Sequence, residues 1–106
     1  MEELDVQELL GFAGAAVAVL RSLKVTDTTM RYGQLARAIG LIPDDAKWHV
    51  RHRRQITTIL CIAAAVEREA GNTGTEALEF ERIVNESGEP GEGVLRTSRI
   101  IRTSPE

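Results

Sequence analysis

The stretch from Leu9 to Leu20 contains no charged residue, and its apolar positions fall on nearly every side of a helix. A helix of that kind is buried rather than laid on a surface. Gly11, Gly14 and the alanines at 13, 15, 16 and 18 keep it thin enough for another helix to approach closely. The acids before it, Glu2, Glu3, Asp5 and Glu8, suit a helix start, where carboxylates meet the positive end of the dipole. The twelve-residue run is too short to span a bilayer of about 30 Å, and a secretory signal would open with positive charge. The expectation is therefore a helix over 4–24, no membrane contact, and a face on which two copies of the chain could pair as a homodimer.

Helical spacing returns twice. Tyr32, Leu35, Ala36 and Ile39 define one face of a short helix behind the capping residues Thr26 to Thr29, and Gly40 stops it. A loop through Pro43, Asp44 and Asp45 leads into the longest helical pattern, Ala46 to Ala70, with Ile56, Ile59, Leu60, Ala63 and Val66 stacked at three- and four-residue intervals. Asn72, Thr73 and Gly74 follow its end at Gly71. Beyond that the pattern shifts toward alternation. Leu78, Phe80 and Val84 read as one side of a strand, the Gly- and Pro-bearing segment 86–93 as a turn, and Val94 to Arg102 as a returning strand. The fold class that follows is α+β: three helices and a C-terminal β-hairpin, a winged helix-turn-helix-like core over 28–102 in a single domain of 106 residues.

Charge alters that picture only when it is divided along the chain. The net value of −3 argues against a polyanionic partner. Locally, residues 1–8 carry −4 and residues 67–92 carry −6, whereas Lys47, Arg51, Arg53 and Arg54 give +4 with no acid between Ala46 and Val66. Arg96, Arg99 and Arg102 add +3 near the end. At 100° per residue, Lys47, Arg51, Arg54 and Thr58 form a ridge opposite the stripe of His52, Ile56, Ile59 and Ala63. Such a ridge on the second helix of a helix-turn-helix meets phosphates and base edges. The single cysteine, Cys61, excludes an internal disulfide and makes a reducing, cytoplasmic setting the expectation. Mid-helix among apolar neighbours it reads as a small hydrophobe. His49 and His52 share a helix with no acid nearby to complete a metal site, and His52 falls on the apolar stripe as a hydrogen-bonded core residue. No cofactor, metal ligand set or catalytic residue is expected.

The segment Met30-Arg31-Tyr32-Gly33-Gln34-Leu35-Ala36-Arg37-Ala38-Ile39-Gly40 resembles the "tyr-gly-x-leu-ala…gly" helix in the DNA-binding domain of the alkylguanine DNA alkyltransferases and alkyltransferase-like proteins. Arg54-Gln55-Ile56-Thr57-Thr58-Ile59-Leu60 is similar to the start of that family's recognition helix. Phe80-Glu81-Arg82-Ile83-Val84-Asn85-Glu86-Ser87-Gly88 resembles its "cys-his-arg-val-val…gly" strand and turn. The pieces lie in the family's order over about residues 28 to 95. The resemblance implies that Phe80 and Glu81 stand where the family has its alkyl-accepting cysteine and adjacent histidine, which removes the alkyl transfer. It also implies that Arg54 stands where the family's arginine intrudes into the duplex, and Tyr32 where its tyrosine lies near the DNA backbone. The expectation is a non-enzymatic protein that contacts duplex DNA through Tyr32, Lys47, Arg51, Arg54 and Thr58, helped by Arg31 and by Arg96 and Arg99 on the wing. The alternative is a protein-protein interaction or oligomerisation domain without nucleic-acid binding.

Overall fold

In the computed structural model the described residues are 5–45, 47–72, 77–85 and 87–102. Glu2 and Glu3, Ala46 at the expected start of the third helix, the turn residues Thr73 and Gly74, and Glu86 lie outside them. The first helix, α1 (Val6–Thr26), opens on a reciprocal cap. The Asp5 carboxylate accepts the Glu8 backbone N–H at 2.8 Å, and the Glu8 carboxylate accepts the Asp5 N–H at 3.1 Å. It closes on Asp27, whose left-handed backbone (φ 56°) lets its N–H reach back to the Leu23 and Lys24 carbonyls. Ala13, Ala16, Leu20 and Leu23 point into the core at helical spacing. Of the small residues expected to meet a second copy, Gly11, Gly14 and Ala18 are exposed and Ala15 is half-buried, whereas Ala13 and Ala16 belong to the core; Val6, Leu10 and Val25 are exposed as well. By length and composition alone α1 could also cross a membrane, because the helix is 21 residues long rather than the twelve of the uncharged run.

The short strand β1 (Met30–Arg31) leads directly into α2 (Tyr32–Ala38). The Gln34 amide oxygen accepts the Arg31 N–H at 2.9 Å and so holds the junction. The long α3 (Val50–Glu69) buries Ile56, Ile59, Leu60, Ala63 and Ala64 in the core and packs against α1. Both helices end as the sequence indicates: Gly40 and Gly71 take positive φ (84° and 85°), and the N–H groups of Leu41 and Asn72 return to Ala36 and Glu67. A 3₁₀ turn, Phe80–Arg82, and the two-residue strand β2 (Ile83–Val84) follow, and α4 (Glu92–Arg102) completes the order.

The expected winged helix with a β-hairpin is not formed. The described residues are mostly helical, with four α-helices and one small sheet in which β1 and β2 run parallel, Met30 beside Ile83 and Arg31 beside Val84. Two features account for the difference. Residues 94–102 carry β-branched side chains and loosely alternate, but Val94, Thr97 and Ser98 are buried while Leu95, Arg96 and Arg99 are exposed, which is helical spacing. Thr97 meets its polar need inside the helix by donating its hydroxyl to the Gly93 carbonyl at 2.9 Å. The second is Gly93 itself, where an added Cβ would lie 2.9 Å from the Thr57 side chain, so its bareness lets α4 lie directly on α3. Of the expected strand 78–84, only Ile83 and Val84 pair, and they pair with β1 instead of a following strand.

Arg82 clamps this sheet to the end of α1. Its guanidinium donates to the carboxylates of Glu79 (2.8 Å) and Asp27 (2.9 Å) and to the Thr28 carbonyl (3.1 Å). The side chain is 17% exposed, so these bonds are partly shielded from solvent. The bond to Asp27, followed by that to Glu79, holds its pKa above the ordinary arginine value despite the opposing effect of burial.

Candidate nucleic-acid interface

The β1–β2 pairing brings the start of α2, the start of α3 and the turn after β2 to one end of the molecule. Together they enclose a cleft of about 750 Å³ lined by Arg31, Tyr32, Gly33, Gln34, Arg37, Trp48, Arg53, Val84, Asn85 and Ser87. Among the described lining residues three are arginines and none is an acid. The wall is aromatic. Tyr32 and Trp48 have ring centres 6.4 Å apart at 18° between planes, and the Arg53 guanidinium lies 5.3 Å from the Tyr32 ring centre. A cation so placed is held by the ring quadrupole. Gly91 backs the tyrosine: a Cβ there would stand 2.5 Å from the Tyr32 hydroxyl and 3.1 Å from the Arg53 guanidinium, so a side chain would have to displace one or both.

Behind the wall is a ladder of rings. Trp48 lies 5.7 Å from His52, and His52 lies 5.6 Å from His49. His52 is buried, as its place on the apolar stripe leads one to expect, and its Nδ1 accepts the His49 backbone N–H at 3.1 Å. That bond makes Nδ1 an acceptor and caps the first turn of α3. Burial, and secondarily the Arg51 and His49 charges, lower the His52 pKa from its ordinary 6.5. Since the folded state then binds a proton less readily than the unfolded chain, neutral His52 contributes stability that is complete above about pH 6.5 and lost as pH falls below it. Urea unfolding followed from about pH 7.5 down to pH 5 should show the midpoint falling in wild type and falling less in a His52→Gln variant. Equal slopes would exclude His52 as the source.

The ridge expected from the helical wheel is present in part. Arg51, Arg54 and Thr58 are exposed on α3, and neither arginine has a carboxylate partner among the described residues. The Thr58 hydroxyl donates to the Arg54 carbonyl at 3.1 Å, which leaves it only acceptor capacity. Lys47 is exposed but precedes the helix, which begins at Val50 rather than Ala46. Tyr32 is buried at 5% exposure with its ring facing the cleft contacts described above.

Arg96 and Arg99 are not on a wing. Thr57 touches Gly93 and Cys61 meets the Thr97 hydroxyl at 3.5 Å, so α3 and α4 run side by side in the same direction. Arg96 is then level with Leu60, about 13 Å along the axis from Arg51, and the two basic groups are separated. Cys61 is half-buried against Thr97 in this helix pair, consistent with a packing role.

The cleft residues Arg37, Asn85 and Ser87 had no signal in the sequence, and Arg53 stood apart from the ridge because it lies about 100° around α3 from Arg54. Phe80, where the resembling family has its acceptor cysteine, is fully buried and does not line the cleft. No group of three metal-ligating side chains occurs among the described residues. Set against known protein families, curated proteins and solved structures, the chain matches none.

Proposed function

We propose that this protein binds duplex DNA without acting on it chemically, through the end of the molecule formed by the cleft and the first turns of α3. The observation that carries the reading is the charge there. Arg31, Arg37 and Arg53 line a cavity whose described lining residues include no acid, and Lys47, Arg51 and Arg54 are exposed on the same segment as Trp48 and Arg53. In a chain of net charge −3 this is a concentration of positive charge, not a general basicity. Guanidiniums pair with phosphate oxygens two at a time, and lysine adds a point charge, so this set suits a DNA backbone. The resemblance of segments 30–40, 54–60 and 80–88 to the alkyltransferase-like DNA-binding domain supports the same surface, since Tyr32 and Arg54 both belong to it. Phe80, in place of a reactive cysteine, supports binding without alkyl transfer.

The test uses a covalently closed circular duplex, which has no strand ends. Gel-shift titration of wild type should give a retarded complex at low salt, and the Arg51→Ala/Arg54→Ala variant should need roughly tenfold more protein, as expected for the loss of two charged contacts at an exposed surface. Absence of a complex with wild type, or identical titration of the two proteins, would overturn the reading.

A further inference from the structure

The cleft is more selective than a positively charged surface. A duplex presents its phosphates singly along a convex backbone, each a diester with one negative charge. Arg31 and Arg53 together supply more positive charge than one diester needs. A phosphate monoester carries about −1.5 to −2 at neutral pH and offers three acceptor oxygens, which matches several guanidinium forks. The volume of about 750 Å³ falls within the ~300–1,000 Å³ of small-ligand sites and suits one nucleotide rather than a helix.

Polar and aromatic groups beside the arginines complete the match. Trp48 is half-buried with part of its surface in the cleft, a platform on which an unpaired base can stack. The Asn85 side-chain oxygen accepts three bonds, from the Ser87 N–H (3.0 Å), the Ser87 hydroxyl (2.6 Å) and the Glu89 N–H (3.2 Å). These fix the amide and leave its NH₂ as a donor without a protein partner among the described residues. Fixed donors and an aromatic face, with no carboxylate among the described lining residues, form a receptor for an anionic group attached to a planar one.

We infer that the cleft holds a nucleoside 5′-monophosphate group, presented by the phosphorylated 5′ end of a DNA strand. Arg31 and Arg53 take the phosphate and Trp48 takes the terminal base. The choice of a DNA end as source rests on the proposed function, whereas the ligand chemistry rests on the cleft alone.

Trp48 is the only tryptophan in the chain, so its fluorescence reports on the cleft directly. Wild-type protein is titrated with thymidine, with thymidine 5′-monophosphate, and with a short oligothymidylate bearing either a 5′-phosphate or a 5′-hydroxyl. Saturable quenching is expected with the monophosphate and not with thymidine. The phosphorylated oligonucleotide should bind about tenfold more tightly than its hydroxyl counterpart, and Arg31→Ala, at an exposed position, should erase that advantage. Equal response to thymidine and its monophosphate, or an Arg31→Ala protein that keeps the phosphate preference, would overturn the site. Free monophosphate binding as tightly as the phosphorylated oligonucleotide would overturn the strand end as its source. The closed circle separates the two readings. If the circle binds and the end phosphate adds nothing, the DNA reading stands and this one falls; if the monophosphate binds and the circle does not, the reverse holds.

Discussion

Replacing Phe80 with alanine should lower the free energy of unfolding by about 3–5 kcal/mol, the range for truncating a fully buried aromatic ring. Its side chain has no exposure and sits in the 3₁₀ turn that touches both α1 and α4. Alanine there loses the transfer energy of the ring and leaves a cavity that three elements cannot close without moving the β1–β2 pair. The loss is a large share of the 5–15 kcal/mol that holds a typical domain together. Urea unfolding monitored by circular dichroism checks it, and a midpoint within error of wild type would show that the ring is not part of the core. The expected result bears on function as well. If Phe80 is a core residue, a cysteine placed there, as in the resembling alkyltransferases, would sit among apolar side chains that hold a thiol in its neutral, unreactive form.

The first two thirds of the fold were legible because local signals and tertiary packing agree there. Asp5 and Glu8 announce the start of α1, Gly40 and Gly71 end their helices with the positive φ that glycine tolerates best, and His52 lies buried on the stripe where the helical period places it. The last third was misread for a physical reason. Thr97 and Ser98 are polar, Val94 is β-branched, and their sequence looks like a half-buried strand, yet Thr97 bonds to its own helix and Ser98 lies near the Glu81 carboxylate (3.4 Å). The helical period was present, with Val94, Thr97 and Ile101 three and four residues apart, but the hydroxyls on that face and the β-branched residues among them made it read as a strand. The candidate interface was half visible for a related reason. Helical geometry placed Arg51 and Arg54 on an exposed face without reference to the rest of the molecule. The cleft, in contrast, exists only because Arg31 is brought beside Val84 by a parallel pairing between residues more than fifty positions apart, and no local pattern encodes that.

Ionic strength should have the largest effect on the proposed binding. Five cations, Arg31, Lys47, Arg51, Arg53 and Arg54, belong to the cleft, to the first turns of α3 or to the segment just before it. If each neutralises a phosphate, the logarithm of the association constant falls against the logarithm of salt concentration with a slope of about −4.5, and affinity drops about five-hundredfold between 50 and 200 mM salt. The magnitude follows from counterion release: every phosphate paired with the protein returns a condensed cation to solution, and added salt opposes that return. Net charge would predict the opposite, since a chain at −3 is repelled by DNA at long range and screening would strengthen binding. The sign of the slope therefore decides whether the local arrangement or the overall charge governs the encounter. Fluorescence anisotropy of a labelled duplex at four salt concentrations gives it. A Lys47→Ala/Arg51→Ala/Arg54→Ala protein should lose between two and three units of slope, at about 0.9 per phosphate contact, while keeping the contribution of the cleft arginines. A wild-type slope near zero or of positive sign would remove the phosphate backbone as the partner of this surface, and with it the reason for grouping the α3 cations with the cleft.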